Sequence, residues 1–139
     1  MADENLTFFI DKNKESFIFN KKKFSEHFPK FINKITMHSI QNYIDTENSE
    51  LNNAISNVFN VLKEYSEGKI LGKNIITRKN MFDMYLAVNW DGLYNRKIYD
   101  YIIKEMKRQI LLLNYEEIEQ FAEKHNIQIV KDACKRFKV

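Results

Sequence analysis

The chain of 139 residues has 22 Lys and Arg against 19 Asp and Glu, a formal net charge of +3, which is weaker than the basic excess usual in nucleic-acid binders. A hydrophobic share of 44% permits a real core, while 3 Gly and 1 Pro leave few tight turns, so helices are expected to dominate. No apolar run approaches the ~20 residues of a membrane span. The polar N-terminus and the single Cys134 predict an intracellular protein, cytoplasmic or nuclear, in a reducing compartment.

The first 44 residues alternate between strand and helix patterns. Short apolar runs at residues 6–10 and 17–19, separated by a polar segment, predict two strands joined by a hairpin-like loop. Apolar residues then recur at helical spacing over residues 24–35, where Pro29 is expected to break or bend the helix. Alternation over residues 39–44 predicts a third strand.

Helical spacing continues from residue 49 to the end. Ser49 and Thr77 are expected to cap two helices, Gly68 to end the turn after the first, and a third helix is expected over residues 93–106. Asn114 precedes two acids in a capping-box arrangement that opens the last helix pair. The inward positions expected in that pair are Ile118, Phe121, Ala122, Ile127, Val130, Cys134 and Phe137.

This order of elements predicts one α+β unit, because three short strands mixed with helices are followed only by helices. No Pro-, Gly- or Ser-rich linker, low-complexity tract or internal repeat divides the sequence. The chain is therefore expected to form one continuous fold.

Residues 17–31 carry the most specific pattern. An apolar strand ends at an Asn-Lys pair, Asn20 and Lys21, an apolar Phe24 follows, and Pro29 opens a Pro-x-Phe turn. This order resembles the signature of BTB/POZ domains, with Phe28 standing where Ser is usual. In such a motif the helix after the strand buries Phe24 and ends at the proline.

Two further blocks support the resemblance. Residues 59–70 and 80–90 look like the family's helices that end in an aromatic-x-x-Gly turn and in Ala-Ala-Asn/Asp-aromatic, and residues 114–137 are similar to the helix pair that opens BACK segments in BTB-kelch proteins. The resemblance, which extends to the elongin C-like superfamily, implies a BTB/POZ-like domain over residues 6–106 and a BACK-like helix pair over residues 110–139. It implies a small three-stranded sheet with a helical cluster and the C-terminal helix pair packed on it.

The function that the resemblance implies is protein–protein interaction, as an adaptor that recruits a cullin-3-type ubiquitin ligase. In the family, cullin-3 is contacted by three segments: the loop after the Pro-x-Phe turn, the aromatic-x-x-Gly turn, and the segment after the helix that ends in Ala-Asn. By position, the partner-binding candidates are Ile35, Met37, His38, Tyr65, Trp90 and Tyr94. The chain departs from the family where Met37 is not followed by the usual acid, and little sequence precedes Leu6 for the strand and helix of swapped dimers.

Two alternative functions stay open. The first is a homo- or hetero-oligomeric assembly scaffold, or a decoy that sequesters a partner, without ligase function; the missing acid after Met37 favours it. The second is a small nucleic-acid binder, in which Lys21, Lys22 and Lys23 would form a basic patch between Phe19 and Phe24. Nucleic acid is disfavoured because helical spacing directs Phe24 into the core, and a solvated face explains the lysines.

No pattern in the sequence indicates an enzyme. The three histidines, His27, His38 and His125, are far apart and lack metal-ligand spacing. Cys134 shares an apolar helix face with Val130, where a thiol behaves as a small hydrophobe. The three glycines are too scattered for a phosphate-binding loop. We therefore expect no catalytic residues, no cofactor and no metal.

Overall fold

The computed structural model describes residues 4–10, 16–38, 41–71, 75–111 and 115–138. It is an α+β structure, which confirms the fold class predicted from the order of elements. The described strands are β1 (Asn5–Ile10), β2 (Ser16–Asn20), β3 (Thr36–His38) and β4 (Gln41–Ile44). The described helices are α1 (Lys21–His27), α2 (Ser49–Ser66), α3 (Met81–Val88), α4 (Arg96–Ile110), α5 (Tyr115–Lys124) and α6 (Gln128–Lys138). Two 3-10 turns, the Lys34 turn (Ile32–Lys34) and the Asp91 turn (Asp91–Leu93), complete the list.

The sheet has the strand order β2-β1-β4-β3. The β1–β2 hairpin is antiparallel, β4 returns parallel to β1, and β3 is antiparallel to β4. The described sheet thus holds one strand more than the three that were predicted, because a strand of three residues is too short for alternation to reveal it. The third predicted strand is β4 from Gln41 onward, and residues 39–40 lie outside the described residues.

Phenylalanine rings form the core beneath the sheet. Phe59 of α2 lies at its centre, with ring centroids 4.8 Å from Phe8, 5.1 Å from Phe24 and 5.5 Å from Phe31. All four side chains are fully buried, and burying one such ring stabilises a fold by roughly 1.5–3 kcal/mol. The signature segment of the sequence therefore supplies much of the core.

The Asn-Lys pair of that segment marks the start of α1. Asn20 caps the helix, since its Oδ1 accepts a hydrogen bond from the backbone N–H of Lys23 at 2.9 Å. The helix ends at His27, just before Pro29, as the sequence predicts. Phe31 then turns back into the core, where it is fully buried.

Two of the predicted helix caps are wrong by a few residues. Asn48 caps α2 through the backbone N–H of Leu51 at 3.1 Å, and Ser49 is the first helical residue. Thr77 lies one turn before α3, in a reciprocal pair of hydrogen bonds with Asn80. Asn and Ser cap helices about equally well, so adjacent candidates cannot be ranked from the sequence.

Of the other predicted helix boundaries, those of the third helix are shifted and the turn at Gly68 is confirmed. The third predicted helix starts and ends later than expected, as α4, with Asn95 as its cap. Gly68, with φ +110°, ends the turn after α2 as predicted, because a left-handed backbone conformation favours glycine. The predicted cap Asn114 lies outside the described residues.

The C-terminal helix pair shares the core of the rest of the chain. Ile118 and Ala122 of α5 and Val130 and Cys134 of α6 are buried in one hydrophobic cluster with residues of α2, α3 and α4. Phe137 was expected to be buried but is 44% exposed, because it lies in the last turn of α6 and contacts only one described ring, that of Tyr115, at 5.3 Å. No helix in the described ranges is long and apolar enough to cross a membrane.

Candidate interaction surface

Trp90 lies two residues after the end of α3 and is half-buried. Its indole meets Phe31 edge-on, with ring centroids 6.4 Å apart and planes at 88°. A Cβ atom at Gly92 would lie 2.7 Å from Cζ3 of Trp90 and 2.8 Å from Cγ of Lys34. Since real Cβ atoms do not approach so closely, glycine at position 92 is what allows the indole to lie against the Asp91 turn.

Asp91 joins the two 3-10 turns. Its Oδ1 accepts a hydrogen bond from Nζ of Lys30 at 3.1 Å, and its Oδ2 lies 3.3 Å from Nζ of Lys34. The hydrogen bonds from Lys30 and Lys34 hold the pKa of Asp91 below its ordinary value. The pairs are exposed, so each stabilises the fold weakly, but together they fix the Lys34 turn beside Trp90.

Of the three candidates in the loop after Phe31, the structure describes the side chain of Ile35 and only the backbone of Met37 and His38. Ile35 ends the Lys34 turn, where it is half-buried and packs against the core. The backbones of Met37 and His38 belong to β3, paired with Asn42 and Gln41 of β4. The side chains of Met37 and His38 lie outside what the structure describes.

Tyr65 and Tyr94 lie near the end of α1. The ring of Tyr65 meets that of His27 at 5.1 Å, and Nδ2 of Asn95 donates a hydrogen bond to the backbone oxygen of His27 at 3.1 Å. Tyr94, 44% exposed, precedes Asn95 and has its ring 6.1 Å from that of Tyr99. The His27 segment therefore links these two tyrosines.

A cleft of about 330 Å³ is lined in part by Trp90. Its apolar lining is Leu51, Leu86 and Trp90, and its polar lining includes Glu50, Asp91 and His125; this is the Trp90 cleft. Leu51 is in the first turn and Tyr65 in the last turn of α2, whose 18 residues span about 27 Å. The structure thus separates Tyr65 from the cleft, and the predicted site falls into two parts.

The end of α5 closes one side of the Trp90 cleft. Nζ of Lys124 donates a hydrogen bond to Oε2 of Glu50 at 3.0 Å, and Nε2 of His125 lies 3.8 Å from Oε1. The hydrogen bond and the charge of Lys124 lower the pKa of Glu50. The acid side of the cleft is therefore ionised at neutral pH and already has a cationic partner.

A strip of half-buried side chains extends from the cleft along α3. Phe82 and Leu86 are spaced four residues apart on α3, so they share one helix face, and Trp90 lies two residues beyond the end of that helix. Phe121 of α5 stacks on Phe82 with centroids 4.2 Å apart and planes at 15°, and lies 4.4 Å from the ring of His125. In the sequence, Leu51 and Leu86 each belong to an apolar helix face. Such a face is typical of a core, so the sequence does not mark either leucine as a site residue.

In the basic patch considered from the sequence, the two flanking phenylalanines do not reach the surface. Lys21, Lys22 and Lys23 are exposed in the first turn of α1, and Nζ of Lys21 lies 3.8 Å from Glu4. Phe19 and Phe24, which flank them in sequence, are fully buried. These rings are therefore not placed to stack on bases, which is how aromatic residues bind single-stranded nucleic acid.

Tyr85 is a titratable group buried in the described core. Burial, followed by the neighbouring Tyr99, raises the pKa of Tyr85 to about 12. Its ring lies among those of Tyr99, Phe121 and His125. In the part of the chain that the structure describes, no group of three His, Cys, Asp or Glu side chains is placed to hold a metal ion.

Comparisons with family models, with curated proteins and with solved structures give no match to this chain. The BTB/POZ resemblance therefore stays one of sequence pattern. The candidate surface rests on its own geometry.

Proposed function

We propose that this chain is a protein-interaction module of the BTB/POZ type that contacts its partner through the Trp90 cleft. The course of the signature segment supports the family part of this proposal. Its residues form a strand, a short helix capped by Asn20, and a turn after Pro29 that returns Phe31 to the core. Domains of that family bind other proteins, a role that requires no catalytic group.

The observation that carries the proposal is the composition of the Trp90 cleft. Trp90 and two leucines form its apolar lining, and polar and charged side chains, Asn48 and Asn89 among them, form the rest. Protein interfaces combine apolar and polar contacts, and Trp is among the residues most often found at their energetic centres. Glu50 and Asp91 already have cationic partners within the chain, so the apolar lining is the part left to bind a partner.

In its most specific form, the proposal is that the module is an adaptor for a cullin-3-type ligase. Ile35 packs at the end of the Lys34 turn, which Asp91 holds beside Trp90, so these two candidates are at adjoining turns. Tyr65 and Tyr94, which lie near His27 and apart from the cleft, would form a second part of the contact. This partner is the one implied by the sequence resemblance.

A binding assay with the N-terminal domain of cullin-3 tests the adaptor. We expect a complex with the wild-type chain, and at least roughly tenfold weaker binding for Leu86→Lys, which places a charge in the apolar lining. Ile18→Lys is the matched control, because Ile18 is a half-exposed apolar residue on β2, outside the cleft. Absence of wild-type binding at tens of micromolar removes the adaptor, and equal binding of both variants removes the cleft as its contact.

A second candidate function is an assembly scaffold without ligase activity. The described sheet leaves β2 at one edge, and Ile18 on that strand is 51% exposed. An open sheet edge can pair with another chain. Light scattering on wild type and Ile18→Lys tests this role: the scaffold predicts an oligomer that the substitution dissociates, and a wild-type monomer rejects self-assembly.

A further inference from the structure

A second concave surface lies between α4 and α6, lined by residues that do not line the Trp90 cleft. It has a volume of about 300 Å³, and its apolar lining is Tyr99, Ile103 and Ile129. Ile129 is 50% exposed, although it stands on a helix whose opposite face is fully buried. We call this surface the α4–α6 groove.

The apolar character continues along α6 beyond the groove. Ile129, Ala133 and Phe137 are spaced four residues apart and so follow one face of the helix. Phe137 is 44% exposed and Ala133 is half-buried. From Ile129 to Phe137 this face is about 12 Å long, which matches about two turns of a bound helix.

The charge beside the groove is positive. Lys104 and Lys107 line it, and neither takes part in an ion pair within the described ranges. Asp100 also lines it, but its Oδ2 lies 3.4 Å from Nε of Arg96, so that carboxylate is paired. The groove therefore combines an apolar lining with two lysines that form no ion pair with any residue the structure describes.

We propose that the α4–α6 groove binds an acidic amphipathic helix of a partner protein. Apolar side chains of that helix would pack on Ile103 and Ile129, and its Asp or Glu side chains would lie beside Lys104 and Lys107. Such helix-in-groove contacts use anchors spaced three or four residues apart, which is the spacing that α6 presents. The site is separate from the Trp90 cleft and would give the module a second partner surface.

An acidic amphipathic helix of a partner fits the groove better than α5 of a second copy or a lipid surface does. The exposed acids of α5, Glu116, Glu117 and Glu123, are not accompanied by exposed apolar side chains, because Ile118 is buried and Phe121 is half-buried. The α5 helix of a second copy would thus offer negative charge without the exposed apolar side chains needed to fill the groove. A bilayer is flat on this scale and would reach the lysines without filling the concave lining.

Selection from a displayed library of random 16-residue peptides on the full chain tests the proposal. We expect enrichment of peptides with apolar residues three or four apart and flanking Asp or Glu. Lys104→Glu/Lys107→Glu should weaken their binding by roughly tenfold or more, and Ile129→Lys should weaken it similarly. Lys22→Glu/Lys23→Glu is the matched control, because it makes the same change of charge on the exposed face of α1 and should leave binding unchanged.

Each contrary outcome overturns the proposal. Failure to enrich acidic amphipathic peptides, or equal loss of binding in the control, removes the groove as their site. A dimer that Lys104→Glu/Lys107→Glu dissociates assigns the groove to a second copy. Lysine-dependent binding to phosphatidylserine vesicles without peptide binding assigns it to lipid. Leu86→Lys should leave peptide binding intact, so failure here is distinguishable from failure of the Trp90 cleft.

Discussion

Gly92 lies so close to Trp90 that a single added methyl group at position 92 would reach 2.7 Å from the indole. The ring is in turn packed edge-on against Phe31 of the core. The position of the indole in the cleft thus depends on the absence of a side chain two residues later.

Gly92→Ala should displace the indole and lower the free energy of unfolding by about 1–3 kcal/mol, as overpacking does. Trp90 is the only tryptophan in the chain, so its emission reports the displacement directly. Gly68→Ala is the control: a Cβ there meets nothing within 4 Å, and only its φ of +110° is unfavourable. Both variants should lose stability, but unchanged emission in Gly92→Ala would contradict the packing described here.

Asp91→Asn should destabilise the fold at neutral pH, because it removes the charge that holds Lys30 and Lys34. The pKa of Asp91 is lowered in the folded state, so its contribution is present above the unfolded-state pKa and is lost as pH falls through the folded-state value. Urea unfolding of wild type and variant should therefore differ at about pH 7 and converge near pH 2. In a Lys30→Met/Lys34→Met background the substitution should cost nothing further, and an undiminished cost would place the effect elsewhere.

Tyr85→Phe should change the alkaline limit of stability. Burial raises the pKa of Tyr85 to about 12, so the folded state holds this proton more tightly than the unfolded chain does. Its contribution is present below the unfolded-state pKa of about 10 and is lost as pH rises through the folded-state value. Between about pH 9 and pH 11.5 the wild type should lose more stability than Tyr85→Phe. Parallel losses would show that Tyr85 titrates normally.

Phe59→Ala should be among the most destabilising substitutions in the chain. Phe59 contacts Phe8, Phe24 and Phe31 and is fully buried, so its removal should cost about 3–5 kcal/mol by chemical denaturation. Phe121→Ala removes the same atoms from a half-buried stack and should cost clearly less. Similar costs would mean that the ring cluster is not centred on Phe59.

The sequence predicts this core well because burial follows from periodicity. Phe24 and Phe31 are where the helical spacing and the proline place them, and α1 ends before Pro29. Helix starts are less certain, since Asn48 and Ser49 are equivalent candidates and the hydrogen bond decides between them. The sequence does not predict β3, because three residues are too few to show an alternating pattern. The strand exists through its pairing with β4.

The candidate surface is less accessible to sequence reasoning, because it depends on which helix ends meet. Of the candidates that the resemblance names, Ile35 and Trp90 lie at the two 3-10 turns that Asp91 joins, whereas Tyr65 lies at the far end of α2 from the cleft. Leu51, Leu86 and His125 complete the cleft through the packing of α2, α3 and α5, which are far apart in sequence. Their apolar spacing alone does not distinguish a surface strip from a core face.

The most direct test of the central claim uses the single tryptophan as a probe of the cleft. The chain labelled with 5-fluorotryptophan has one fluorine, at Trp90, and is titrated with the N-terminal domain of cullin-3 while its ¹⁹F resonance is recorded. A contact in the Trp90 cleft predicts a shifted resonance for wild type, and none for Leu86→Lys at the same concentrations. A resonance that stays unchanged throughout the wild-type titration would contradict the claim that Trp90 contacts this partner.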